Sequence, residues 1–253
     1  MGNYADLLRE FFVTDFKLRY KHSYLGFLWV ILKPLSYYVV LHTIWTSLFG
    51  NTENYASYLL LGILTLSYFT EGVNFGLQSL FNKAHIILKV NFPREIVVLS
   101  AIAIAMVNFL INLGIYFSFR IASKETLFSA HWYNFIIGFL LLSLFLLGIA
   151  FYTSIISIKY HDIKHLIELL LQLIFWATPV FYSLEQLPPH IANLIKNFNP
   201  LVTLLTLIRS GLLPSVDAPN LVSVLVLSAV IVVFTFAGYV VFKKTLPKIA
   251  EFF

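Results

Sequence analysis

Apolar residues fall into long unbroken runs separated by short polar stretches. Six runs, at roughly 27–49, 58–81, 96–119, 133–157, 164–184 and 220–242, reach or exceed the ~20 residues a helix needs to cross a bilayer. None shows the short segments of alternating polarity that mark an outer-membrane barrel. The pattern therefore predicts an all-α integral membrane protein with six transmembrane helices. Few charges interrupt the runs: Lys33 in the first, Glu71 in the second and Glu168 near the start of the fifth. A charge at mid-membrane costs at least ~2.5 kcal/mol, so each calls for a reason.

Two segments are neither spans nor ordinary loops. Over residues 3–22 the apolar positions Tyr4, Leu7, Leu8, Phe11, Phe12 and Phe16 recur at three and four, with Asp6, Arg9, Glu10 and Lys17 filling the rest. This predicts an amphipathic interface helix with its phenylalanines turned to the membrane, or against a soluble partner. Over 186–213 the apolar core Leu201–Ile208 is too short to span, and Asn199-Pro200 marks a turn. A re-entrant helix pair between spans five and six is expected, dipping in from the outer side as a cap or gate.

Composition fixes the class. Hydrophobic residues make up 59% of the 253 and charged residues only 11%, and the mean hydropathy is +0.85. A soluble chain would be about a quarter charged. The basic residues then give the orientation. With both termini cytoplasmic, 13 of the 17 lie in inner segments and only Arg120, Lys124, Lys196 and Arg209 lie outside. The N-terminal residues carry no cleavable-signal pattern. There is no cysteine, which removes disulfides and thiolate chemistry.

Candidate chemistry is sparse. His161 and His165 have the spacing of two ligands on one helical face, but no HExxH forms and a third ligand is missing. Glu71, with Asn74 and Gln78 at i+3 and i+7, makes a polar stripe on the second span. It suits either a pathway wall or interhelical hydrogen bonding. No GxxxxGK[ST] loop occurs, so any ATP hydrolysis belongs to another polypeptide. No enzyme is expected, and no metal or cofactor on this chain. Aromatic residues are 17% of the chain, and Tyr37, Tyr38, Trp45, Phe175, Trp176, Phe181 and Tyr182 exceed what interfacial belts require. Such rings suit either packing or a path for amphipathic cargo.

The blocks DFKLRYKHSYLGFLWVILKPL (15–35), KVNFPREIVVLS (89–100), TPVFYSLEQLP (178–188) and NPLVTLLTLIRSGLL (199–213) resemble, in order, the permease subunits of type-2 ABC exporters for bacterial surface polysaccharides. The likeness is greatest to O-antigen and wall teichoic acid exporters. It covers nearly the whole chain, except that His161-Asp162 stands where such proteins often have Arg-Asp. The resemblance implies a homodimer working with two ATPase subunits that hold the ATP and Mg. It implies export of a lipid-linked polysaccharide through the bacterial inner membrane, with no part for nucleic acid.

It further implies an interface helix over 1–22, an entrance helix over about 23–33 and spans one to five within 34–184. The outer gate falls at 186–213 and span six at 220–242. ATPase coupling falls to Lys83, His85, Lys89, Phe92, Pro93, Arg94 and Glu95, with His161 and Asp162 as a second contact. Lys17, Arg19, Lys21 and His22, with Tyr24 beside them, are expected to attract the diphosphate of the lipid carrier, at ~1 kcal/mol per cation near an anionic surface. An ordinary positive-inside anchor reads the same cations equally well. Pro34 is expected to break the helix, so that span one begins there. The competing functions are an efflux permease for drugs or lipids, and a proton-coupled carrier relying on Glu71.

Overall fold

The computed structural model describes residues 4–21, 23–49, 54–90, 92–160 and 162–247, and no strand occurs among them. The helices are α1 (Tyr4–Tyr20), α2 (Trp29–Phe49), α3 (Tyr55–Asn82), α4 (Ala84–Ile87), α5 (Glu95–Ala122), α6 (Tyr133–Lys159), α7 (Ile163–Ala177), α8 (Pro189–Phe198), α9 (Pro200–Leu212) and α10 (Leu221–Thr245). Five of them, α2, α3, α5, α6 and α10, are long and apolar enough to cross a membrane. They match five of the six apolar runs to within a few residues at each end.

α3 is the central helix. In its most apolar stretch 72% of residues are buried, and 67% in that of α5, against 11% for α2 and for α10. Small residues let α3 and α6 approach closely: a Cβ on Gly76 would fall 2.4 Å from that of Ala150. Cross-contacts give the directions. Tyr68 bonds Ser143 at 2.8 Å and Ser157 donates to the Leu77 carbonyl at 2.7 Å, so α3 and α6 run parallel. Thr235 reaches the Leu144 carbonyl and Phe242 packs on Phe151, so α10 runs the same way. The α5 helix runs opposite to α3, pairing Asn108 with Glu71 at mid-helix and placing Glu125, just past its end, beside Ser57 at the start of α3.

Because α6 and α10 are parallel, residues 160–220 must make one net crossing. The fifth run does this in a form the sequence did not suggest. A single span over 164–184 is expected, but α7 stops at Ala177. Its 15 residues extend only ~22 Å. Thr178-Pro179 ends it, since the residue before proline avoids helical geometry, and Thr178 is extended (φ −103°, ψ 134°). Residues 179–182 continue as a non-helical strip beside Tyr55 and Tyr58 at the start of α3. The α8 and α9 helices then meet at 91°, so they are a bent pair and not a straight span. Asn199, between them, caps α9 by accepting from the Leu201 N–H and donates to Thr178 and the Ala177 carbonyl. From that depth α9 returns antiparallel to α6, bringing Ser210 to Asn134.

The expected break at Lys33-Pro34 is not formed, and neither is a separate entrance helix over 23–33. The α2 helix starts at Trp29 and continues through Pro34, which is buried. Pro34 lies early in the helix, where its missing N–H forfeits only the bond to the Val30 carbonyl, and spans tolerate such a loss. Residues 26–28 form a single 3-10 turn, entered at Gly26 with φ +48°. Phe27 pins that turn between Phe16 and Tyr20 of α1, at 5.9 and 5.3 Å. Part of α1's aromatic face is thus turned to the protein itself, with Phe11 on Phe92 at 5.2 Å.

Candidate functional site

A cavity of about 930 Å³ opens between the end of α1, the first half of α2, the middle of α3 and the face of α7. Spacing decides who lines it. On α2 the residues include Trp29, Lys33 and Tyr37, one turn apart; on α3 Ser67, Thr70, Glu71 and Asn74 make a polar stripe, flanked by Ile63 and Leu66; on α7 they include Glu168, Gln172, Phe175 and Trp176. The polar stripe of α3 faces rings contributed by α2 and α7. Arg19, Tyr20 and Phe75 sit at the mouth nearest α1.

Glu71 anchors the polar wall. Asn108 of α5 donates to its Oε2 at 2.8 Å, and Tyr20 donates its hydroxyl to Asn108 Oδ1 at 3.1 Å. Arg19 lays its guanidinium 3.5 Å above the centre of the Phe75 ring. Burial lowers the Arg19 pKa, with Tyr20, Glu71 and Asp15 opposing, and burial raises that of Tyr20 above its ordinary value. Two cations, Arg19 and Lys33, and two carboxylates, Glu71 and Glu168, therefore share the cavity. Such an array can bind and orient a polar, ring-stacking cargo. Nothing in it resembles a nucleophile with a base, and among the described residues no three metal-ligating side chains come together.

The expected entrance residues separate. Arg19 lines the cavity, while Lys17 and Lys21 are exposed outside it and Tyr24 is fully exposed. His22 lies outside the described residues. Of the expected channel-lining set, Tyr37, Glu71, Phe175 and Trp176 line the cavity. Tyr38 packs beside Phe119 and His42. Trp45, Phe181 and Tyr182 form a ring cluster beyond the cavity, where Phe181 meets Trp45 at 5.1 Å and Phe175 at 6.1 Å. Lys33, Glu168 and Gln172 also belong to the cavity, beyond the expected channel-lining set. Their spacing to Tyr37 and Phe175 is the signal that could have found them.

The coupling set divides by direction. Lys83 forms an ion pair with Asp15 of α1, Arg94 donates to the Leu246 carbonyl at 3.1 Å, and Glu95 accepts from Lys243 at 2.8 Å. These, with Phe92, tie α1 and α10 to the loop. His85, Lys89 and Pro93 are exposed, as are Leu88 and Val90, while Ile87 is buried and roots α4. Asp162 is exposed at the start of α7, and His161 lies outside the described residues. This end of the bundle also carries Lys159, Lys243 and Lys244, and is the basic end.

Known proteins give the same pattern of full-length likeness. The family model for the ABC-2 type transporter matches residues 7–213. The chain belongs to that family. An O-antigen export system permease protein RfbA of Myxococcus xanthus is 27% identical over 98% of this chain and 95% of its own length. Two proteins of the same name from Klebsiella pneumoniae are each 26% identical over 99% of this chain and 96% of theirs. As a membrane component of an ABC-2 type transporter, the chain is a transport subunit and works with a separate ATPase.

Proposed function

We propose that this ABC-2 permease exports a lipid-linked polysaccharide of the O-antigen type across the bacterial inner membrane, driven by ATP bound with Mg on two partner subunits. The observation that carries this reading is the two-faced cavity. Hydroxyl, amide and carboxylate groups on α3 face Trp29, Tyr37, Phe175 and Trp176, an arrangement suited to sugars, which present hydroxyl edges and apolar faces. A small apolar drug would leave that polar wall unpaired, at ~1–3 kcal/mol per stranded group.

Three further assignments go with it. The positive-inside rule, applied to the 13-to-4 split of basic residues, puts both termini and the basic end in the cytoplasm. A second copy of the chain covers the exposed apolar residues Tyr37, Val40 and Ile44 of α2 and Leu166, Leu169 and Leu173 of α7, and so closes the open side of the cavity. The ATPase docks on His85, Leu88, Lys89, Val90 and Pro93 and on Asp162, the members of the two inner loops that face outward.

Deleting the gene tests the reading. Lipid-linked glycan is expected to accumulate on the cytoplasmic side while the cell surface loses it. Unchanged surface glycan together with new sensitivity to small amphiphiles would transfer the assignment to drug or lipid efflux.

A further inference from the structure

Arg209 of α9 is only 2% exposed, and among the described residues no carboxylate lies within ion-pairing distance of it. Backbone oxygens take that place. Its Nη1 donates to the Pro179 carbonyl at 2.7 Å, and its Nη2 to those of Val180 and Tyr58 at 2.8 and 3.0 Å. The guanidinium also lies 3.4 Å from the centre of the Tyr58 ring. Gly62 makes the room, since a Cβ there would sit 2.3 Å from Nη2.

The strip after α7 depends on this arrangement. The Pro179 and Val180 carbonyls are held by Arg209, the Phe181 carbonyl by the Tyr55 hydroxyl at 3.0 Å, and the Tyr182 carbonyl by the Tyr58 hydroxyl at 3.3 Å. Four consecutive carbonyls of irregular backbone are thus satisfied by three side chains. Non-helical backbone inside a membrane persists only where protein or water satisfies it. Here the donors belong to α3 and α9, so the strip can leave without unravelling any helix. Without the strip Arg209 keeps only the Tyr58 carbonyl and ring, so releasing the strip strands most of a buried guanidinium's donors and is costly until they find new partners. Ring contacts connect the strip to the cavity, from Trp176 and Phe175 to Phe181.

We propose that Arg209 is the positioning residue that keeps the passage shut at the end opposite the basic one. It holds residues 179–182, with the Phe181 and Tyr182 rings, against α3, and each transport event breaks and remakes that hold. The inference rests on the chain being a transport subunit, and on no particular cargo.

The absence of cysteine allows a clean test. Val180→Cys places a single thiol at a position with no exposed surface, and Leu146→Cys does the same in the α3–α6 core. Each is reconstituted with its ATPase in proteoliposomes and challenged with a membrane-impermeant maleimide from the side opposite the basic end. With Arg209 present and no ATP, both thiols are expected to stay unlabelled, and ATP with cargo is expected to expose the thiol at 180. In the Arg209→Met background the thiol at 180 is expected to label about tenfold faster without ATP, the thiol at 146 to stay protected, and the vesicles to leak small ions. Gly62→Ala, which displaces the guanidinium but keeps its charge, is expected to act in the same direction. It also carries the test if the methionine variant fails to accumulate. Equal labelling at 180 in all backgrounds, or labelling at 146 in parallel with 180, would overturn the proposal. Because the comparison of Arg209 with Arg209→Met and Gly62→Ala is made without ATP or cargo, a wrong assignment of polysaccharide leaves that result standing.

Discussion

Asn108 joins two ends of the cavity wall: it donates to Glu71 on α3 while accepting from Tyr20 on α1. The carboxylate is therefore a fixed structural acceptor. Glu71→Gln keeps an oxygen for Asn108 and is expected to keep export within a few-fold of wild type. A proton-coupled carrier would instead stop altogether, so measured export by this variant separates the two mechanisms. Asn108→Leu leaves Glu71 and the Tyr20 hydroxyl without their partner, at an expected cost of ~1–3 kcal/mol, to be read as a lowered Tm in detergent.

Tyr20 gives this network a pH dependence. Burial holds its pKa above the ordinary tyrosine value, so the unfolded chain releases the proton first as pH rises. Its contribution is therefore complete below pH ~10 and is lost as pH climbs through the folded-state value. Tyr20→Phe is expected to cost ~1 kcal/mol at neutral pH, the net worth of one hydrogen bond, and to flatten the alkaline loss of stability. An unchanged slope of Tm against pH above 10 would count against the assignment.

Much of this was legible in the sequence, and the failures have particular causes. Run length located five spans because a bilayer demands it, and Asn199-Pro200 located the bend between α8 and α9. Pro34 misled because a proline's cost depends on its distance from the helix end, which a motif does not convey. Thr178-Pro179 carried the true break in the other span, and the apolar character of Val180 and Phe181 concealed it. Arg209 read as an outer-loop cation, since nothing local to it reveals that three carbonyls from distant segments converge on it. Lys83, Arg94 and Glu95 stand beside the outward-facing residues in sequence. Only the fold distinguishes the members that tie down α1 and α10 from those facing outward.

The close approach of α3 and α6 is a further point of sensitivity. Gly76 faces Ala150 with no room for a side chain, so Gly76→Val must push the two helices apart. Overpacking of this kind costs ~1–3 kcal/mol. Because α3 is the central helix, the expected outcome is a lower Tm and reduced assembly with the ATPase, measured by co-purification. Gly114 has nothing within 4 Å of a built Cβ, so Gly114→Val is the matched control and is expected to behave as wild type.

The loop at the basic end separates docking from internal support. His85 and Lys89 are exposed, whereas Arg94 and Glu95 are bonded to α10 through Leu246 and Lys243. The double variant His85→Glu with Lys89→Glu reverses the local charge without touching an internal contact. It is expected to weaken ATPase binding by about tenfold or more while leaving the Tm of the isolated permease unchanged, since unpaired surface changes stay within ~0.5 kcal/mol. Arg94→Ala is expected to do the reverse in its first effect. It frees the Leu246 carbonyl and loosens the end of α10, lowering stability by the ~1.5–3 kcal/mol of a charge-assisted bond, and with it the Tm, before any docking is measured. The comparison needs both readouts, binding of the purified ATPase and thermal unfolding of the permease alone. If both variants lowered Tm equally, the loop would be a single structural unit, and the ATPase contact would have to lie at Asp162 and the start of α7.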